Sequence, residues 1–232
     1  MKYANIVQGY FLSRPNRFIA HVEIHGHKEI CHVKNTGRCK ELLQPGCKVW
    51  LTASDNPERK TKYDLVAVQK GKRLINMDSQ APNLAAREWL EKGGLKGLTL
   101  IKPETKFENS RFDFYFEKKR SRGFLEVKGV TLEENGIVRF PDAPTLRGVK
   151  HLHELIDCRE KGFDSYLLLV IQMTQVKCFE PNWDTQPAFG EALLAARKAG
   201  VRILAYDCIV TPSSLTINKP VKIKLTKKNT LK

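Results

Sequence analysis

Two nearly unbroken apolar runs, Tyr166 to Met173 and Val201 to Val210, flank an alanine-rich stretch from Ala188 to Ala199 that Gly200 closes. A strand wetted on one face alternates apolar and polar residues, whereas a strand apolar at every position needs cover on both faces. The pattern therefore demands a strand, a crossover helix and a parallel strand, with the usual right-handed connection. The C-terminal part of the chain is predicted to be α/β.

Upstream, Arg111 to Glu117 sets Phe112, Phe114 and Phe116 in alternation with Asp113, Tyr115 and Glu117, the period of a half-buried strand with one apolar face. The segment from Lys118 to Gly123 is polar and ends in glycine, which predicts a hairpin with a basic turn. On the second strand, Glu126 and Lys128 share a face while Val127 points the other way. Such a hairpin brings Asp113, Glu126 and Lys128 together. Phosphodiester hydrolysis uses this set, because Mg²⁺ or Mn²⁺ takes carboxylate oxygens and an adjacent ammonium acts on water or on developing phosphate charge. The same letters also describe a solvated strand, so the pattern needs context. Paired acids serve glycoside hydrolysis too, but the neighbouring lysine and the charge balance of the chain argue against that chemistry.

The formal net charge is +15, a surplus that favours a polyanion through release of its counterions. The expected partner is DNA, gripped with little regard to sequence. With 232 residues and 41% hydrophobic content, the chain has enough apolar material for one large or two small domains. No apolar run approaches the roughly 20 residues that span a bilayer, and no signal-peptide core opens the chain, so a cytoplasmic protein without a membrane partner is expected. The six cysteines, Cys31, Cys39, Cys47, Cys158, Cys178 and Cys208, form no C-x-x-C pair and read as free thiols. No small-molecule cofactor is expected.

Residues 1–80 read as short strands: Phe18 to Ile24, Glu29 to Lys34, Cys47 to Ala53, Tyr63 to Gln69 and Arg73 to Asp78, with a short helix at Arg38 to Leu43. Five strands suit an OB-like barrel. The turn Asn35-Thr36-Gly37-Arg38 offers a phosphate a guanidinium, and serves equally as a plain turn. Residues 81–232 change character. Asn83 is predicted to cap a helix through Glu91, followed by a strand over Leu95 to Lys102. Thr145 is predicted to cap a helix to about Lys161 whose apolar side is Leu146, Val149, Leu152, Leu155 and Ile156. Arg147, His151 and Glu154 form a separate stripe on it, either a solvated face with Arg147 balancing Glu154 or a phosphate-contacting face. Val221 to Leu225 alternates like an edge strand guarded by lysines, with Lys227-Lys228 beyond.

The succession Ser110-Arg111-Phe112-Asp113-Phe114, Glu126-Val127-Lys128-Gly129-Val130-Thr131-Leu132, and Phe140-Pro141-Asp142-Ala143-Pro144-Thr145 with Arg147-Gly148 and His151-Leu152 closely resembles the sugar fermentation stimulation protein family. Asn35-Thr36-Gly37-Arg38 and Pro45-Gly46 match as well, so the resemblance spans nearly the whole chain. It implies an N-terminal OB-like β-barrel joined to a mixed-sheet α/β domain of the PD-(D/E)xK nuclease kind, non-specific DNA binding, and a link to regulation of maltose metabolism. Carried over residue by residue, it implies Asp113 and Glu126 as metal ligands, Lys128 as their catalytic companion, Glu104 as an auxiliary ligand and Glu88 as a weaker one. Arg38, Arg111, Arg147 and His151 are the expected nucleic-acid contacts.

Overall fold

The computed structural model describes residues 1–35 and 37–227; Thr36 and Lys228, on which two of the expectations above fall, lie outside the described residues. The N-terminal sheet comprises β1 (Ile6–Asn16), β2 (Ile19–Ile24), β3 (His27–Val33), β4 (Lys48–Ala53), β5 (Tyr63–Lys70) and β6 (Arg73–Asn76) in the order β3-β2-β1-β4-β5-β6. Parallel pairing of β3 with β5, from Cys31 opposite Tyr63 to Val33 opposite Leu65, closes the first five strands into a barrel. A five-stranded barrel was expected, but its members differ. The long strand β1 is central and was missed, because Gly9 and Pro15 interrupt its alternation, and β6 merely extends the wall beyond β5. The expected helix at Arg38 to Leu43 is a single turn, with the Leu42 and Leu43 amides both donating to the Cys39 carbonyl.

The C-terminal domain follows as α1 (Ala81–Glu91), β7 (Leu98–Phe107), β8 (Ser110–Lys118), β9 (Ser121–Val130), β10 (Leu132–Glu134), β11 (Ile137–Phe140), α2 (Leu146–Glu160), β12 (Asp164–Ile171), β13 (Cys178–Pro181), α3 (Pro187–Lys198), β14 (Arg202–Thr211) and β15 (Ser214–Pro220). Its main sheet runs β15-β14-β12-β9-β8-β7, with β12 parallel to both β9 and β14 and the outer strands antiparallel. Strand β12 explains its own apolar run. Tyr166, Leu168 and Val170 pack toward α1 with Ala85 and Leu90, while Leu167, Leu169 and Ile171 join Leu152 and Leu155 of α2 and Leu193 of α3. The three phenylalanines of β8 do not share one face as expected. Phe114 and Phe116 belong to the α1 side, but Phe112 sits on the α2 side among Phe107, Phe124 and His151.

The domains are stitched by a buried polar network. The Gln172 side chain donates to Asn76 Oδ1 at 2.8 Å and to the Asp78 carbonyl at 3.0 Å, and its backbone amide donates to Val130 of β9. Lys34 of the barrel reaches Asp64 at 3.2 Å and Asp78 at 3.6 Å. Residues at the very start of the chain join the second domain: Met1 is buried in the α1-side core and Lys2 bridges to Ser214. Val221 to Leu225 forms no extended strand; Ile223 alone bridges to Phe179, and the edge belongs to β15. Among the described residues no helix is long and apolar enough to cross a membrane.

Helix α2 begins as expected. Thr145 is extended and its hydroxyl accepts the Gly148 amide at 3.0 Å, satisfying one of the otherwise open donors of the first turn. Leu146, expected in the core, is 86% exposed, because the buried side of α2 is centred on Gly148, His151, Leu152, Leu155 and Cys158. Thr145→Ala is expected to lower the unfolding free energy by ~1 kcal/mol while Thr145→Ser retains it, as read from urea denaturation midpoints.

Candidate functional site

Strands β8 and β9 pair from Lys118 and Ser121 as far as Phe114 and Leu125, and the described ladder ends there. Strand β8 stays with β7, and β9 continues beside β12, where Leu167 faces Glu126 and Leu169 faces Lys128. A main-chain donor released at such a fork needs a new acceptor. Asp113 supplies it: its Oδ2 accepts the Val127 amide at 2.7 Å. Its Oδ1 accepts the side-chain amide of Asn83 at 2.7 Å. Asn83 was expected to cap α1, but Pro82 occupies the first turn and the helix starts at Ala81, which frees the Asn83 side chain to reach across to β8. Its role in the site was missed for that reason. The Asn directly after a helix-starting Pro was the available signal.

Glu126 and Lys128 share the α2 face, as strand periodicity requires, and Val127 packs on the α1 side. The Lys128 ammonium donates to Glu126 Oε1 at 2.5 Å. The same oxygen accepts from His151 Nδ1 on α2. Arg147 Nε donates to His151 Nε2 at 3.3 Å, so Nε2 presents a lone pair and the ring carries its proton on Nδ1. Glu126 and His151 are 2% and 4% exposed, and that decides the role of the histidine. His151 lies within the core face, not on a solvated stripe, and both its nitrogens are engaged. The stripe divides otherwise too, since Glu154 pairs with Lys150 at 3.5 Å and Arg147 pairs with His151.

The two carboxyls have been pushed apart. Burial raises Asp113 to about 6, with the Glu126 charge adding to the effect against the Val127 and Asn83 hydrogen bonds. Burial acts in the same sense on Glu126, but the His151 hydrogen bond and the Lys128 charge outweigh it and hold that carboxyl below its ordinary value. Glu126 Oε2 is buried and has no hydrogen-bond partner. An orphaned buried oxygen costs ~1–3 kcal/mol, and a hard cation beside Asp113 is the partner its chemistry suits. Among the described residues no three His, Cys, Asp or Glu side chains gather in metal-binding geometry. Protein ligation here would thus rest on two carboxylates completed by carbonyl oxygens or water, a set that fits Mg²⁺ and Mn²⁺.

The remaining expected residues lie apart from this cluster. The β7–β8 ladder brackets Glu104 opposite Asp113, but the Glu104 side chain is 60% exposed and reaches Arg111, itself exposed, at 3.7 Å. Glu88 holds the Met1 amine at 2.8 Å. Arg38 is exposed on the barrel, in the loop between β3 and β4. All six cysteines are free thiols.

Residues 80–214 match the model of the sugar fermentation stimulation protein RE domain, and residues 12–77 match that of the SfsA N-terminal OB domain. Similar relatives include the sugar fermentation stimulation protein homologs of Clostridium beijerinckii, 59% identical over 226 residues, and of Ruminiclostridium cellulolyticum, 58% identical over 226 residues; each comparison covers 97% of this chain and 100% of the relative. Among solved structures, that of Pyrococcus furiosus SfsA in complex with Ca²⁺ superposes with a TM-score of 0.88 at 27% identity, covering 97% of this chain and 98% of that one.

The raised Asp113 carboxyl carries a pH signature. Folded, it keeps its proton up to about pH 6, whereas its unfolded counterpart loses it near 3.8. Unfolding therefore releases protons between those values, and the contribution of Asp113 to stability is lost as pH rises through that window. Glu126, held low, has the opposite sign: its stabilisation is present above the ordinary carboxylate range and lost as pH falls. In chelator, Asp113→Asn is expected to remove a decline of ~2–3 kcal/mol between pH 4 and pH 6.5, read as the difference between wild-type and variant unfolding free energies across that range.

Proposed function

The chain belongs to the sugar fermentation stimulation protein family, and from that premise we propose that it is a sequence-tolerant DNA-binding protein whose mixed-sheet domain holds a divalent cation and hydrolyses phosphodiesters beside it. The observation that carries the reading is the orphaned Glu126 Oε2, buried beside Lys128, on the strand whose next amide, that of Val127, holds Asp113. The Ca²⁺ complex of the Pyrococcus furiosus relative supports it, since Ca²⁺ and Mg²⁺ are both hard cations that take oxygen ligands.

Asp113 and Glu126 would hold Mg²⁺ or Mn²⁺. Bound there, the cation supplies positive charge that polarises a phosphate. The residues of this chain prepare the rest. Asn83 and the Val127 amide fix the Asp113 carboxylate so that it cannot rotate away. His151 and Lys128 both engage Glu126 Oε1, which leaves Oε2 as the oxygen on offer. The Lys128 side chain is only 16% exposed, and a partly buried ammonium beside a phosphate neutralises developing charge more effectively than one in bulk water. Arg147, exposed at the start of α2, would meet the backbone of the bound DNA strand with the guanidinium nitrogens that His151 does not engage. The net charge of +15 supplies the sequence-independent attraction. The family name speaks of sugar fermentation, and regulation of maltose metabolism is the cellular role proposed for such DNA engagement.

With Mn²⁺ or Mg²⁺, the wild-type protein is expected to cut supercoiled, linear or single-stranded DNA, and EDTA to stop it. Asp113→Ala should abolish cutting and the rise in melting temperature that Mn²⁺ gives the wild type, while Lys128→Ala should keep that rise but lose on the order of 10²–10³ in rate. A wild-type protein that retains DNA on a gel yet cuts none of these substrates with either cation would replace hydrolysis with binding alone.

A further inference from the structure

The barrel carries a second feature that the carboxylate centre does not use. A pocket of about 260 Å³ opens between the β1–β2 turn and the loop joining β3 to β4, lined by Arg14, Arg17, Arg38 and Lys40 with Leu43 at its side. Among the described residues none of those lining it is acidic. Arg14 builds the pocket. Its guanidinium donates to the carbonyls of Gly37 and Arg38, each at 2.9 Å, of Arg17 at 2.8 Å and of Asn35 at 2.6 Å, clamping both loops with one rigid fork. The other three cations are left to face outward. Among the described residues Arg17, Arg38 and Lys40 enter no ion pair, although unpaired like charges held together repel unless an anion joins them.

The rim adds a flat apolar surface. Phe18 is 45% exposed, and the Arg17 guanidinium lies 4.8 Å from its ring centroid. A cationic pocket beside an exposed aromatic ring is the combination that holds a phosphate and stacks the neighbouring base, which requires that base to be unpaired.

The loop also connects this pocket to the carboxylate centre. The Lys34 carbonyl accepts the Ser79 hydroxyl at 2.7 Å, just before α1, the helix from which Asn83 reaches Asp113. Gly37 lies so close to the Asp142 carboxylate that a side chain there would collide with it, and Asp142 just precedes the Thr145 cap of α2, the helix of Arg147 and His151. One barrel loop thus touches the approaches to both helices that flank Asp113 and Glu126.

We propose that the pocket of Arg17, Arg38 and Lys40 is a phosphate subsite for single-stranded nucleic acid, with Phe18 as its stacking platform, so that barrel and mixed-sheet domain hold one strand between them. The assignment rests on the nucleic-acid reading above, but not on hydrolysis. The test is therefore binding in EDTA, where nothing is cut. A fluorescent single-stranded 12-mer is titrated against the full chain, with the same sequence as a duplex for comparison. Arg17→Glu/Lys40→Glu is expected to weaken single-strand binding roughly tenfold or more and to reduce the slope of log affinity against log salt by ~1.4, the share of two phosphate contacts. Phe18→Ala should weaken it by about tenfold with the salt slope unchanged. Melting temperatures are measured alongside, and Arg17→Gln/Lys40→Gln replaces the charge reversal if that variant unfolds. Single-strand affinity unchanged within twofold in the folded charge variants, or a wild-type preference for the duplex, overturns the proposal. A wild-type protein that binds the 12-mer through these residues but never cuts DNA overturns hydrolysis and leaves the subsite standing.

Discussion

A carboxylate buried between a sheet and a helix governs how the second domain is put together. Taking Glu126 out of water costs several kcal/mol, and the cost is met only if cationic or protonated partners arrive with good geometry. Lys128 comes from the same strand face, but His151 comes from α2. The helix must therefore seat in one register against β9, and the apolar contacts of Leu152 and Leu155 have to agree with it. Apolar packing alone tolerates sliding by a turn; a buried carboxylate hydrogen-bonded across the interface does not, because a slip would leave Glu126 without its α2 donor. The same demand accounts for Arg147, which fixes the far side of the imidazole.

The divergence of β8 from β9 makes the complementary half of the site. A hairpin that remained paired to its end would tie up the Val127 amide in the ladder. Because the pairing stops at Phe114 and Leu125, that amide is open, and Asp113 closes on it. Phe112 marks the same event from the other side, having changed faces relative to Phe114 and Phe116. Irregular strand geometry beside charged groups is a common way to re-aim a side chain. Here it turns an acid toward the strand that bears its partner.

The barrel is no loosely tethered appendage. Asn76, Asp78 and Gln172 exchange buried hydrogen bonds at the junction, and Lys34 adds its charge to Asp78. Gln172 also lies against Gly129, where a side chain would strike its amide or Pro82 of α1. Gly129 follows Lys128, so the interdomain network packs directly behind the strand that carries the carboxylate centre.

Local chemistry was enough to read several parts of this protein from its letters. The doubly apolar run of β12, the Thr145 cap, the parallel β12–α3–β14 unit and the shared face of Glu126 and Lys128 all follow from backbone period and from the needs of helix ends. What stayed hidden depends on residues distant in the chain. Strand β1 was obscured by a glycine and a proline, and only its pairing to both β2 and β4 makes it a strand. Asn83 looked like a cap until Pro82 and Asp113 drew it elsewhere, and His151 looked solvent-facing because helical spacing cannot say which stripe meets the sheet. Along regular stretches such as Glu126 and Lys128, residue order was enough to say which side chains share a face, since each residue's own backbone geometry sets it, but not at Phe112, where β8 is turning away from β9. Tertiary structure alone decided which faces meet, because the donors of Asn83, Val127 and His151 find their carboxylate acceptors across gaps in sequence that no local period spans.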